Sequence, residues 1–154
     1  RMAVETVTDA IPGYRFELGK GVVLRAGKDV SIVATGLMVQ MALKAADILA
    51  EQGVGARVIN IHTLKPLDGD LLLASAGETG AIVTTEEHNV IGGLGSAVAS
   101  FLAGSYPVSV IRHGVNDEFG RSGKAELVME AYGLTAEVIA KRALEAIAMK
   151  GSVR

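Results

Sequence analysis

Four times between residues 30 and 132, a short run rich in valine and isoleucine gives way to a stretch with helical spacing. This alternation restricts the fold more than any other feature of the chain. Strands separated by helices are joined by crossovers, which make the strands parallel and lay helices on both faces of the sheet. Residues 22–25 and 30–35 flank the turn-like Ala26-Gly27-Lys28-Asp29 and read as a hairpin, which adds one antiparallel strand. Further strands are expected at 56–61, 81–85 and 107–112. The expected architecture is a three-layer α/β/α sandwich around a mostly parallel five-stranded sheet with one antiparallel edge strand.

The helices are marked by their own chemistry. After Gly36, residues Met38, Met41, Ala42, Ala45 and Leu49 recur at three-to-four spacing, and Gly53 past the end suits a left-handed cap. Pro66 breaks the chain, and Asp68 can cap a short helix carrying Leu71, Leu72 and Leu73. Helices are expected at 94–103, 124–132 and 136–149. Residues 1–20 read as an arm with a turn at Pro12-Gly13, residues 21–150 as the domain, and residues 151–154 as a tail. An opening Arg1 in place of methionine points to an excised domain or a processed chain.

A chain of 154 residues with one alternating pattern supports a single core. No apolar run approaches the roughly 20 residues of a membrane helix, so no membrane partner is expected. Fifteen basic and seventeen acidic residues, with no block of either sign, do not form a nucleic-acid footprint. With no cysteine and no signal-peptide pattern, a cytoplasmic setting is expected.

Two polar corners follow the last two strands and should meet at one sheet edge. In the first, Glu86, Glu87 and His88 precede Gly92, Gly93 and Gly95. The glycines can form an anion nest at a helix start, or simply a tight strand-to-helix turn. A dinucleotide site fits poorly, because Val98 stands where a third glycine or alanine belongs. The two glutamates and His88 have the groups for proton transfer or metal binding, but adjacent residues on a strand point apart, which favours a structural or interface role. In the second corner, His113, Asp117, Arg121 and Ser122 can take a phosphate through Arg121 and the helix start near Gly123, or Arg121 can pair with Asp117 or Glu118. His62, at the end of strand 56–61, is either a ligand contact or part of a proline-fixed loop. No Gly-x-Ser-x-Gly elbow points to a hydrolase.

Five segments in order resemble the C-terminal domain of transketolases, especially split enzymes whose halves are separate chains. They are Phe16-Glu17-Leu18-Gly19-Lys20, Asp29-Val30-Ser31-Ile32-Val33-Ala34-Thr35-Gly36, the stretch 58–68 from Val58 to Asp68, the corner 86–95, and the stretch 116–123 from Asn116 to Gly123. Related domains end 1-deoxy-xylulose-5-phosphate synthase and the β subunits of 2-oxo-acid dehydrogenase E1 components. The resemblance implies an enzyme that moves a two-carbon ketol unit between sugar phosphates, as in the pentose phosphate pathway. It places thiamine diphosphate and a divalent metal, Mg, between two other domains. This chain has no Gly-Asp-Gly opening of a metal-diphosphate motif, so by itself it is expected to bind no cofactor and to be inactive. The implied partners are the N-terminal transketolase domains or subunit, in a homodimer of the assembled enzyme. A free-standing regulatory anion- or nucleotide-binding module is the rival reading, and a standalone enzyme using Glu86, Glu87 and His88 as acid/base groups is a third.

Overall fold

The run Val30–Ala34 is buried at all five positions, Ser31 included, which fits a strand covered on both faces and paired on both edges. In the computed structural model, which describes residues 4–9 and 11–150, this run is the central strand β2. Around it lie β1 (Val22–Arg25), β3 (Ala56–Asn60), β4 (Ala81–Asn89) and β5 (Ser109–Val115), in the order β1-β3-β2-β4-β5. The helices are α1 (Met38–Glu51), α2 (Gly69–Thr79), α3 (Leu94–Ser105), α4 (Ala125–Ala131) and α5 (Ala136–Ala148). The β2–β3, β2–β4 and β4–β5 ladders are parallel, and β1 runs antiparallel at one edge. The expected tail 151–154 lies outside the described residues.

The hairpin expectation is corrected. β1 pairs with β3, through Val22 with Asn60 and Val23 with Ile59, and not with β2. The local turn signal at 26–29 loses to a tertiary one. The Asp29 N–H donates to the Gly55 carbonyl at 2.9 Å, and the Asp29 carboxylate accepts from the Gly55 N–H at 2.7 Å. A Cβ on Gly27 would run into the backbone of Ala56 and Arg57. The connection therefore passes close over the start of β3 and delivers β1 to its far side, which leaves both edges of β2 for parallel partners. The last two strands also differ from their expected spans. β4 continues four residues beyond Thr85, and β5 starts and ends later.

Alternation along the strands divides the core between the two faces. Ile32, Val58 and Val83 pack with α1 and α5, joined by Met129 of α4. Val33, Ile59 and Ile82 pack with Leu72 of α2 and with Leu94, Val98 and Leu102 of α3. The Asp68 carboxylate accepts from the Leu71 N–H at 3.3 Å, capping α2 as its sequence position predicts. Gly53 takes the left-handed conformation at φ 77° just past α1.

β2 and β4 are neighbours, yet the helices that follow them go to opposite faces. Open α/β sheets place ligands and contacts at such a switch, outside the carboxyl ends of the strands. The loops 61–68, 90–93 and 116–124, which hold most of the candidate residues, all emerge at that edge.

Candidate functional site

Glu86 is the most buried charged group at this edge, 1% exposed. Its environment follows from an irregularity in β4. Thr85 pairs with His113 and Asn89 with Val115, so four residues on β4 span what two span on β5. The extra length turns Glu86 inward and Glu87 and His88 outward to solvent. Both Glu86 oxygens accept backbone N–H groups at the start of α3, from Leu94 at 2.6 Å and from Gly95 at 2.8 Å. A carboxylate there satisfies two orphan donors and faces the positive end of the helix dipole.

The glycines now have separate reasons. Gly92 takes φ 79°, a backbone conformation that favours glycine. Gly93 is extended, but a Cβ there would overlap the Glu86 carboxylate. A Cβ on Gly95 would lie 2.7 Å from the Thr84 hydroxyl oxygen, and one on Gly114 of β5 would lie 2.7 Å from the His88 carbonyl. Two of the N–H groups that could cradle an outside anion are thus held by the chain's own carboxylate.

Asn89 joins the two corners. Its side-chain amide donates to the Asp117 carboxylate at 2.8 Å, and its oxygen accepts from the Ile91 N–H at 2.8 Å. Asp117 sits at φ 52°, a conformation that aspartate tolerates better than most side chains. Arg112 braces the loop from β5 by donating to the Val90 carbonyl at 3.2 Å and the Ser96 hydroxyl at 3.3 Å. The exposed His88 ring donates from Nδ1 to the Asn89 carbonyl beside it, at 2.9 Å.

Arg121 pairs with Glu118 at 3.1 Å and lies over the Tyr132 ring, 5.1 Å from its centre. The Tyr132 hydroxyl donates to the Phe119 carbonyl at 2.7 Å and so fixes the loop whose Phe119 side chain is fully exposed. Glu87 and Arg121 line one open cavity of about 410 Å³ with Val115, Met129, Tyr132 and Leu134. Ser122 is exposed in the same loop.

His113 and His62 lie apart from this cluster. His113 is buried, with Nε2 donating to the Gly133 carbonyl at 2.9 Å and Nδ1 accepting from the Thr85 hydroxyl at 2.9 Å. Loss of hydration on burial holds its pKa below the ordinary 6.5, against the opposing pull of the Gly133 carbonyl; nearby Arg142 lowers it further. His62 shares a 3.0 Å hydrogen bond between Nδ1 and the Thr63 hydroxyl and packs against Phe16. Its Nε2 is buried without a partner among the described residues.

Asn89, Arg112, Ser96 and Tyr132 were not singled out in the sequence. Arg112 had a signal, as the one charge in an apolar run. The Asn89–Asp117, Arg112–Ser96 and Tyr132–Phe119 contacts span 28, 16 and 13 residues, separations that no local pattern encodes. Among the described residues no three His, Asp or Glu side chains gather as metal ligands, and no helix is long and apolar enough to cross a membrane.

The family described as "Transketolase, C-terminal domain" matches residues 19–139. The chain is 52% identical over 130 residues to the "6-deoxy-6-sulfo-D-fructose transketolase subunit SqwH" of Clostridium sp. (strain MSTE9), covering 84% of this chain and 40% of that protein. It is 45% identical over 129 residues to the "1-deoxy-D-xylulose-5-phosphate synthase" of Heliobacterium modesticaldum (strain ATCC 51547 / Ice1), covering 83% of this chain and 20% of that protein. Among solved structures, a "Split gene transketolase, inactive beta4 tetramer" superimposes with a TM-score of 0.91 at 49% identity, over 97% of this chain and 48% of that one. The chain thus spans less than half the length of the relatives it matches.

Proposed function

Because the chain belongs to the transketolase C-terminal domain family, we propose that it is the assembly section of an enzyme that transfers a two-carbon ketol unit between sugar phosphates. The observation that carries this reading is the match over 19–139, together with relatives more than twice as long. The site agrees with it. Glu86 and the glycines are engaged in holding α3 to β4, while Glu87, His88, Ile91 and Phe119 are left on the outside of a braced edge. A rigid edge with exposed apolar and charged groups suits contact with another domain better than proton transfer.

In this reading thiamine diphosphate and its magnesium belong to the remaining section of the enzyme, which assembles as a homodimer. The 45% identity to the Heliobacterium synthase supports a second reading, the C-terminal section of a 1-deoxy-D-xylulose-5-phosphate synthase. The higher identity to the Clostridium subunit and the superposition on a split transketolase favour the first. The test is a chimera in which this chain replaces the matched region of the Clostridium subunit, assayed with that enzyme's other components. Restored ketol transfer is the expected result; an inactive chimera, together with restored condensation of pyruvate with an aldehyde acceptor when this chain replaces the matched region of the Heliobacterium enzyme, would favour the second reading.

A further inference from the structure

Beyond the assembly reading, we propose that the cavity between the β4–β5 corner and α4 is a binding site for a small apolar α-amino acid. Its volume, about 410 Å³, lies in the range that holds small molecules. Val128, Met129 and Leu134 give it an apolar floor, in which Met129 and Leu134 are buried. Arg121 and Glu87 are the charged residues on its lining. They form no ion pair with each other, and among the described residues the exposed Glu87 carboxylate pairs with no cation at all. Two opposite charges thus face one apolar cavity without neutralising each other.

The guanidinium is set before a ligand arrives. Arg121 lies over the Tyr132 ring, 5.1 Å from its centre, and donates from Nη2 to Glu118 at 3.1 Å. The ring is held in turn by the bond from its hydroxyl to the Phe119 carbonyl at 2.7 Å. Part of the ordering cost of binding is therefore already met. A guanidinium carries its N–H donors in a planar fork, so the single Glu118 bond leaves donors for a carboxylate. Charge then decides the class of ligand. A simple anion would satisfy Arg121 and meet Glu87 unpaired, and a simple cation would do the reverse. An α-amino acid brings its carboxylate to Arg121 and its ammonium to Glu87, and lays its side chain on Val128, Met129 and Leu134. A sugar fits poorly, because its hydroxyls would lose water against that apolar floor.

The test is titration calorimetry of the full chain with L-leucine. Saturable one-site binding is expected below about 10 mM. Two analogues each lack one charge: 4-methyl-2-oxopentanoate has no ammonium and 3-methylbutylamine has no carboxylate. Each should bind more weakly than leucine by roughly tenfold or more. Arg121→Met and Glu87→Gln should weaken leucine binding to a similar extent, with circular dichroism checking that both variants stay folded. Glu87→Gln, at an exposed position, keeps the test decisive if loss of Arg121 disturbs the loop. No saturable heat from L-leucine up to about 10 mM would overturn the proposal. Binding of the oxo acid or of inorganic phosphate as tight as that of leucine would also overturn it, by making this a site for simple anions. So would an unchanged leucine affinity in Glu87→Gln.

Discussion

At the scale of single residues, Glu86 shows how a charge becomes structural. Its carboxylate replaces water at two helix-start N–H groups, and the two glycines beside it leave room for the carboxylate and for close packing. Glu86→Ala abandons two buried donors and is expected to cost about 1–3 kcal/mol or somewhat more in urea unfolding. Gly93→Ala drives a methyl group into the same carboxylate and should cost about 1–3 kcal/mol by overpacking. An unchanged urea midpoint for either variant would contradict this account of the corner. His88 behaves oppositely, since it is exposed and bonds only to its neighbour's carbonyl. His88→Ala should leave the melting temperature of the isolated chain nearly unchanged and weaken association or turnover in the assembled enzyme. A destabilised chain with normal specific activity would contradict the interface role.

At the scale of elements, His113 ties β4 to β5 and to the turn between α4 and α5. The neutral ring satisfies both bonds, and burial holds its folded pKa below the ordinary 6.5. As pH falls below that value the unfolded chain takes up the proton first. The stability present above pH 6.5 is then lost progressively toward the folded pKa. Thermal melts between pH 7.5 and about pH 5.5 should show this loss in the parent and less of it in His113→Gln, which cannot titrate; parallel slopes would contradict it.

The elements also show what could be read from the chain. The parallel strands, the buried stripe of α1 and the Asp68 cap were legible because local periodicity and capping chemistry specify them. The partner of β1 was not, because the glycine-containing turn looks the same whether its strands pair with each other or straddle a third. The polar end of β4 was not legible either, since Glu86 is buried only because the N–H groups eight and nine residues later are held against it. Within the candidate site, the glycines and acidic residues stood out by type. The Asn89–Asp117 bridge between the corners spans 28 residues and had no local signature.

For the whole molecule, two arrangements stand together. The sheet is covered on both faces, and large apolar side chains remain exposed on the loops of one edge, including Phe119 at 100%, Ile91 at 63% and Leu18 at 69%. Water disfavours such a surface, so the isolated chain is expected to self-associate in light scattering at high concentration, and Phe119→Ser with Ile91→Ser should reduce its mass. A parent that stays monomeric throughout would contradict that expectation. The central claim is that this section supports an assembled thiamine enzyme without holding the cofactor itself. Calorimetric titration of the isolated chain with thiamine diphosphate and magnesium tests it most directly. The account predicts no heat of binding from a folded chain, and micromolar binding by this chain alone would contradict it.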